Sequence, residues 1–262
     1  MYLKATAKSS ALMRAVDFHV ILPYHDGYPD AGRPYPTLYF LPGFSANAEE
    51  IVFALPMRQM AAQYGIAVVL MDGENAFYTD HPERAACMGL YAGRELVQIT
   101  RRLFPCLSHR PEDTFIGGIS MGGYGAAALG LHYGFSKIVM MSPAAQVDAL
   151  LLDQDKTAPG AVPAALFDAL LGGRKEYDAS PRLNVFAAVE GALKAGIPLP
   201  PLWMCCGEQD ALVGDACRRF DAFLTERKVP HTFVRGRGEH DLMYWDAHLE
   251  EAFRFLADGR TA

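Results

Sequence analysis

The chain has 262 residues, of which 51% are hydrophobic and 21% charged, and a formal net charge of −6. That length suits one large α/β domain with a sizeable core. With no basic cluster longer than a pair, nucleic acid and anionic membranes are excluded as main partners. The five cysteines, Cys87, Cys106, Cys205, Cys206 and Cys217, show no metal-ligand spacing. Their odd number, and the adjacent pair inside an apolar run, point to reduced and mostly buried thiols. The first ten residues contain no hydrophobic signal core, and no apolar run reaches membrane-spanning length. A cytoplasmic protein is expected, with no membrane partner; a homo-oligomer is allowed.

Residues 15–22 alternate, with Val16, Phe18, Val20 and Leu22 on one face, which predicts a half-buried strand near a sheet edge. A turn-rich connection spans 24–36. Residues 37–41 form an apolar strand that Pro42-Gly43-Phe44-Ser45-Ala46-Asn47 ends. Helical spacing covers 49–64, interrupted at Pro56 and stopped at Gly65. An apolar strand at 66–71 leads into a long loop. An amphipathic helix over 90–104 follows, with Leu96, Ile99 and Leu103 turned inward. Next come a strand at 114–119, a helix at 121–133 capped by Gly134, and a strand at 137–141.

From 144 to 200 the sheet rhythm stops. Helical pieces near 162–171 and 184–195 are joined by Pro- and Gly-rich stretches, the pattern of an insertion or partial cap. The rhythm resumes with a strand at 202–206, a helix at 215–228, a strand at 232–235 and a closing helix at 243–257. Apolar strands alternating with helices predict a mostly parallel sheet covered on both faces, in a single domain spanning 1–262.

The strand at 114–119 runs into Gly118-Ile119-Ser120-Met121-Gly122, and a small-residue helix leaves at once. This is the context of a nucleophile elbow, in which the turn lifts a serine hydroxyl above the sheet at a helix N-terminus. A serine hydroxyl needs a base, and the base needs an orienting carboxylate. On this type of elbow both follow the serine in the order acid, then histidine. Of the eight histidines, five precede Ser120 or lie in the helix after it. His231 opens a strand and His248 lies within a helix. His240 stands in the glycine-rich loop after the last strand and is the expected base. Asp210, at the end of a strand and short turn, is the leading acid, with Glu208 second. Asp215 is assigned to an N-cap, and Asp241 is too close to the base to turn back onto its ring. Two backbone N–H groups should hold a developing oxyanion: that of Met121 and, from the loop after Leu41, that of Phe44. Asp72 is read as a strand-end residue that binds local backbone. Tyr78, Tyr124 and Trp245 are read first as packing aromatics and second as pocket lining.

With these residues in place, the chain resembles the putative-esterase family of α/β-hydrolases. That family includes tributyrin, feruloyl and acetylxylan esterases, S-formylglutathione hydrolase and the mycolyltransferases. The resemblance rests most on residues 113–126, Asp-Thr-Phe-Ile-Gly-Gly-Ile-Ser-Met-Gly-Gly-Tyr-Gly-Ala. It is extended by residues 18–23, 35–47 and 77–80 and by Gly238-Glu239-His240 with Tyr244-Trp245-Asp246. One departure is Pro42-Gly43, where the family usually has His-Gly. The resemblance implies an α/β-hydrolase fold with a helical insertion before the acid-bearing strand. It implies Ser120, Asp210 and His240 as catalytic residues, and Phe44 and Met121 as oxyanion donors. The activity implied is that of a serine carboxylesterase acting on small-molecule, short-chain acyl esters, without cofactor or metal. An acyltransferase or thioesterase on the same site is the alternative.

Overall fold

The computed structural model describes residues 1–24, 34–147 and 164–259. Eight strands form one sheet: β1 (Tyr2–Ser9), β2 (Arg14–Ile21), β3 (Thr37–Leu41), β4 (Ala67–Met71), β5 (Thr114–Ile119), β6 (Lys137–Met141), β7 (Leu202–Gly207) and β8 (His231–Gly236). Their spatial order is β1-β2-β4-β3-β5-β6-β7-β8. The first two strands run antiparallel to their neighbours and the rest are parallel. The crossovers reverse direction on either side of β3 and β5. Their carboxyl ends therefore open onto a crevice, where such sheets place their sites.

Each central strand is apolar throughout because it feeds two cores. In β3, Leu38 and Phe40 face one layer, and Tyr39 and Leu41 the other; in β4, Val68 and Leu70 oppose Val69 and Met71. The period-2 pleat makes this division automatic. On one side lie α1 (Ala48–Ala54), α2 (Met57–Tyr64) and the closing helix, through Ile51, Met60 and Phe253. On the other lies a helical run over residues 88–103, π-helical at Tyr91–Glu95 and ending as α3 (Leu96–Leu103). It is joined there by α4 (Met121–Tyr133), through side chains such as Tyr91, Leu96 and Leu129.

Two details depart from expectation. β1 was not foreseen: it forms the sheet edge, so the strand at 14–21 is second from the edge. In α3 the buried positions are Leu96, Val97 and Thr100, whereas Leu103 is exposed. Thr100 can be inside because its hydroxyl bonds both Tyr39 Oη and the Leu96 carbonyl.

Within the 144–200 segment, residues 148–163 lie outside the described residues. The rest forms α5 (Ala164–Leu171), α6 (Arg174–Ala179) and α7 (Val185–Ala195). Asn184 caps α7 by accepting from the Phe186 and Ala187 N–H groups. Helix α7 buries Val185 and Val189 and sets Phe186 against Phe220 and Phe223 of α8 (Gly214–Glu226). The chain closes with α9 (Leu242–Ala257). Among the described residues, no helix is long and apolar enough to cross a membrane.

Candidate active site

At the carboxyl end of β5 the chain turns through Ser120 and enters α4 directly. Ser120 has φ 56° and ψ −114°, a left-handed backbone that a residue with a Cβ adopts only under constraint. The constraint is visible on both sides of it. The Ser120 N–H donates to the Met141 carbonyl, and its own carbonyl accepts from the Tyr124 and Ala144 N–H groups. A Cβ on Gly122 would stand 1.9 Å from the Leu41 carbonyl oxygen, and one on Gly118 2.4 Å from that of Gly122. The turn therefore closes only with glycine at both places.

Loops at the ends of β7 and β8 bring the other two predicted residues to this point. His240 Nε2 lies 3.0 Å from Ser120 Oγ, and His240 Nδ1 lies 2.7 Å from Asp210 Oδ2. An ionised carboxylate only accepts, so Nδ1 carries the proton and donates to Asp210. Nε2 is then the acceptor of the Ser120 O–H. Asp210 is buried, and its second oxygen is also occupied: Oδ1 accepts from the Leu212 and Val213 N–H groups at 3.0 and 2.9 Å. Burial pushes the Asp210 carboxyl up, but the bonds to His240, Val213 and Leu212 outweigh it and hold the group below its ordinary value.

The same contacts correct one expectation. Asp215 does not cap α8; it lies inside the first turn and pairs with Arg218. The turn before the helix is fastened by Asp210, so the buried acid and the loop anchor are one residue. The real side-chain cap at the other loop is Asp241, whose Oδ1 accepts from the Tyr244 N–H at the start of α9. The rejected histidines have other partners. His231 bonds Asp221 and the Val229 carbonyl, and His248 lies against Tyr244.

Around Ser120 the structure places both predicted donor residues. Met121 begins α4, and Phe44 lies in the turn after β3; both line the same cavity. Among the described residues, neither N–H has a protein acceptor. Next to this turn the buried Tyr78 hydroxyl donates to the Pro42 carbonyl at 2.8 Å. Asp72 acts across a longer distance than foreseen, accepting from the Ala48 N–H at the start of α1. Tyr124 is a packing residue whose hydroxyl donates to the Leu183 carbonyl. Trp245 both packs and lines the cavity: its Nε1 donates to Ser142 Oγ, and its ring meets His240 edge-on with centroids 5.1 Å apart.

The cavity measures about 970 Å³. None of the described residues of 164–200 lines it. Phe53, Leu212 and Leu242 do, and sequence reading missed all three. The available signal was an apolar side chain two residues after Asp210, in a turn, and another two after His240, at the first residue of α9, both exposed. Among the described residues, no cluster of three His, Cys, Asp or Glu side chains could hold a metal ion. All five cysteines are unbridged.

The sheet order, the elbow and the crevice are those of the α/β-hydrolase fold. The Putative esterase family matches residues 9–256, and the chain belongs to that family. It is an esterase-family serine hydrolase. It is 29% identical over 223 residues to an acetyl esterase of Caldicellulosiruptor saccharolyticus, covering 84% of this chain and 83% of that one. Its fold matches that of FphF, a fluorophosphonate-binding serine hydrolase of Staphylococcus aureus, with a TM-score of 0.84 at 24% identity over 98% of both chains. The S-formylglutathione hydrolase FrmB of the same organism matches with a TM-score of 0.82 at 24% identity, over 98% of this chain and 99% of that one.

Proposed function

We propose that the protein is a carboxylesterase acting on short-chain acyl esters, with Ser120 as nucleophile, His240 as general base and acid, and Asp210 as the orienting carboxylate. The observation that carries this reading is the unbroken line Ser120 Oγ–His240–Asp210, at 3.0 and 2.7 Å. Ser120 Oγ attacks the acyl carbonyl while Nε2 takes its proton. The negative charge formed on the carbonyl oxygen is received by the Met121 and Phe44 N–H groups, with the positive end of α4 behind Met121. His240 then gives its proton to the departing alkoxide, leaving an acyl-serine. Water, deprotonated by His240, attacks the acyl-serine, and Ser120 leaves with the proton returned. Asp210, ionised and buried, favours the imidazolium formed in each half of the cycle and keeps Nδ1 protonated.

The name of the acetyl esterase relative supports a short acyl group. A thioesterase using the same residues is the second reading; the fold shared with FrmB is compatible with it.

Ser120→Ala should lower kcat/KM for p-nitrophenyl acetate by at least about 10⁴-fold, since removing the nucleophile removes the covalent route. A p-nitrophenyl alkylphosphonate should phosphonylate Ser120 as p-nitrophenol leaves, adding the mass of the phosphonyl group to the peptide containing Ser120. Hydrolysis by Ser120→Ala at the wild-type rate, or a label on another serine, would refute the assignment.

A further inference from the structure

Large apolar side chains are normally buried, yet Phe53 (76%), Leu212 (53%) and Leu242 (44%) stand exposed around one opening, and Met243 (82%) is exposed next to Leu242 in sequence. Phe53, Leu212 and Leu242 line the Ser120 cavity, and Met243 does not. An acetyl group fills only a small part of a cavity of about 970 Å³, so most of it is available to the other half of the ester. Which half lies where follows from proton transfer. His240 must protonate the departing alkoxide, so the alcohol leaves on the imidazole side of Ser120. Leu212 and Leu242 line the same cavity as His240, and Trp245 lies edge-on to the His240 ring. That side is therefore apolar.

The charges agree. Apart from His240, the charged side chains lining the cavity among the described residues are Glu49 and Glu50. Glu50 accepts from the Asn47 N–H in a capping box, and Glu49 stands 3.7 Å from Lys4, which is outside the cavity. No Lys or Arg among the described residues lines the cavity to receive a carboxylate.

We propose that Leu212 and Leu242 form a specificity wall for an uncharged, apolar leaving alcohol, with Phe53 completing its rim from α1, and that anionic leaving groups such as glutathione are disfavoured. This rests on the acyl-enzyme reading above. It makes the two halves of the substrate unequal: a small acyl group at the elbow and a larger apolar alcohol beyond His240.

The test holds the acyl group constant and compares ethyl acetate with hexyl acetate. Their alcohols have nearly equal acidity, so the ratio of the two kcat/KM values reads the wall and not the chemistry. Four added methylenes, partly covered, should raise kcat/KM about tenfold or more in wild type. Leu242→Ala and Leu212→Ala should each lower the hexyl-to-ethyl ratio about fivefold, and Leu242→Met should restore most of it. Met243→Ala, outside the cavity lining, should leave the ratio as it is. S-acetylglutathione should be a poorer substrate than hexyl thioacetate, with the gap narrowing as salt screens the carboxylates. A hexyl-to-ethyl ratio near one, a ratio unmoved in both alanine variants, or a preference for S-acetylglutathione would overturn the inference. If both esters are hydrolysed in a Ser120-dependent way at a ratio near one, only this inference falls. If hydrolysis persists in Ser120→Ala, the catalytic reading falls with it.

Discussion

Asp210 performs two tasks with two oxygens. Oδ2 takes the His240 N–H while Oδ1 fastens the turn that enters α8. The bonds to the ionised form hold its carboxyl below the ordinary value despite burial. The unfolded carboxyl titrates near about 3.9, so the folded group contributes stability fully above that value and loses it as pH falls through the lower, folded one. Asp210→Asn has no such titration. The stability difference between wild type and Asp210→Asn, from urea melts at pH 6 down to pH 2.5, should therefore shrink toward acid. At pH 7 the same variant should lose on the order of 10³–10⁴-fold in kcat, because an amide can present its own N–H to Nδ1 and so favour the wrong tautomer. A variant with near-wild-type kcat would remove Asp210 from the mechanism.

At the scale of elements, the proposed mechanism depends on how closely β5, α4 and the end of β3 approach one another. Gly122 faces the Leu41 carbonyl, and Gly118 faces Gly122 across the turn. A backbone carbonyl cannot rotate aside as a side chain can. Gly122→Ala should therefore force α4 away from β3 and cost more than about 3 kcal/mol, beyond ordinary overpacking. For a chain of this size that corresponds to a fall in Tm of roughly 6–12 °C. Activity should fall further than stability does, because Met121 and Phe44 stand on the two elements being separated. Thermal melts beside p-nitrophenyl acetate assays check both, and a Tm within about 2 °C of wild type would show that the turn has slack.

At the scale of the molecule, β1 closes one side of the sheet. It pairs with β2 from Tyr2–Ile21 to Ser9–Arg14. Glu95, in the π-helical stretch, holds the end of the strand by accepting from Ser9 Oγ and from the Ser10 and Ala11 N–H groups. Removing residues 1–11 would leave β2, with its Phe18 and Val20, as a long unpaired edge, which is a template for pairing with another chain. The truncated protein should shift to larger species in light scattering as concentration rises. An unchanged mass would mean that β2 is protected in some other way.

The residues that could be read in advance are those whose reasons are local. A strand, a glycine-flanked serine and a small-residue helix constrain one another over a dozen residues, so β5, Ser120 and α4 are legible as a unit. The expected bounds of β5 and β6 coincide with the strands. Asp210 and His240 were nameable because strand ends on this fold leave few loops after the elbow, although the hydrogen bonds that align them join positions 30 and 120 residues apart. β1 was missed although Leu3, Ala5 and Ala7 alternate with exposed Lys4, Thr6 and Lys8, because two alanines give its inner face little hydrophobicity. Asp215 was misread because capping rules see neighbours only, while the loop was already held by Asp210. Chain order and local sterics were sufficient to determine the turn that carries the hydroxyl. The edge of the sheet and the apolar wall made by Phe53, Leu212 and Leu242 were decided only by folding, because their side chains come from separate loops and helices and acquire a common purpose only where those elements converge.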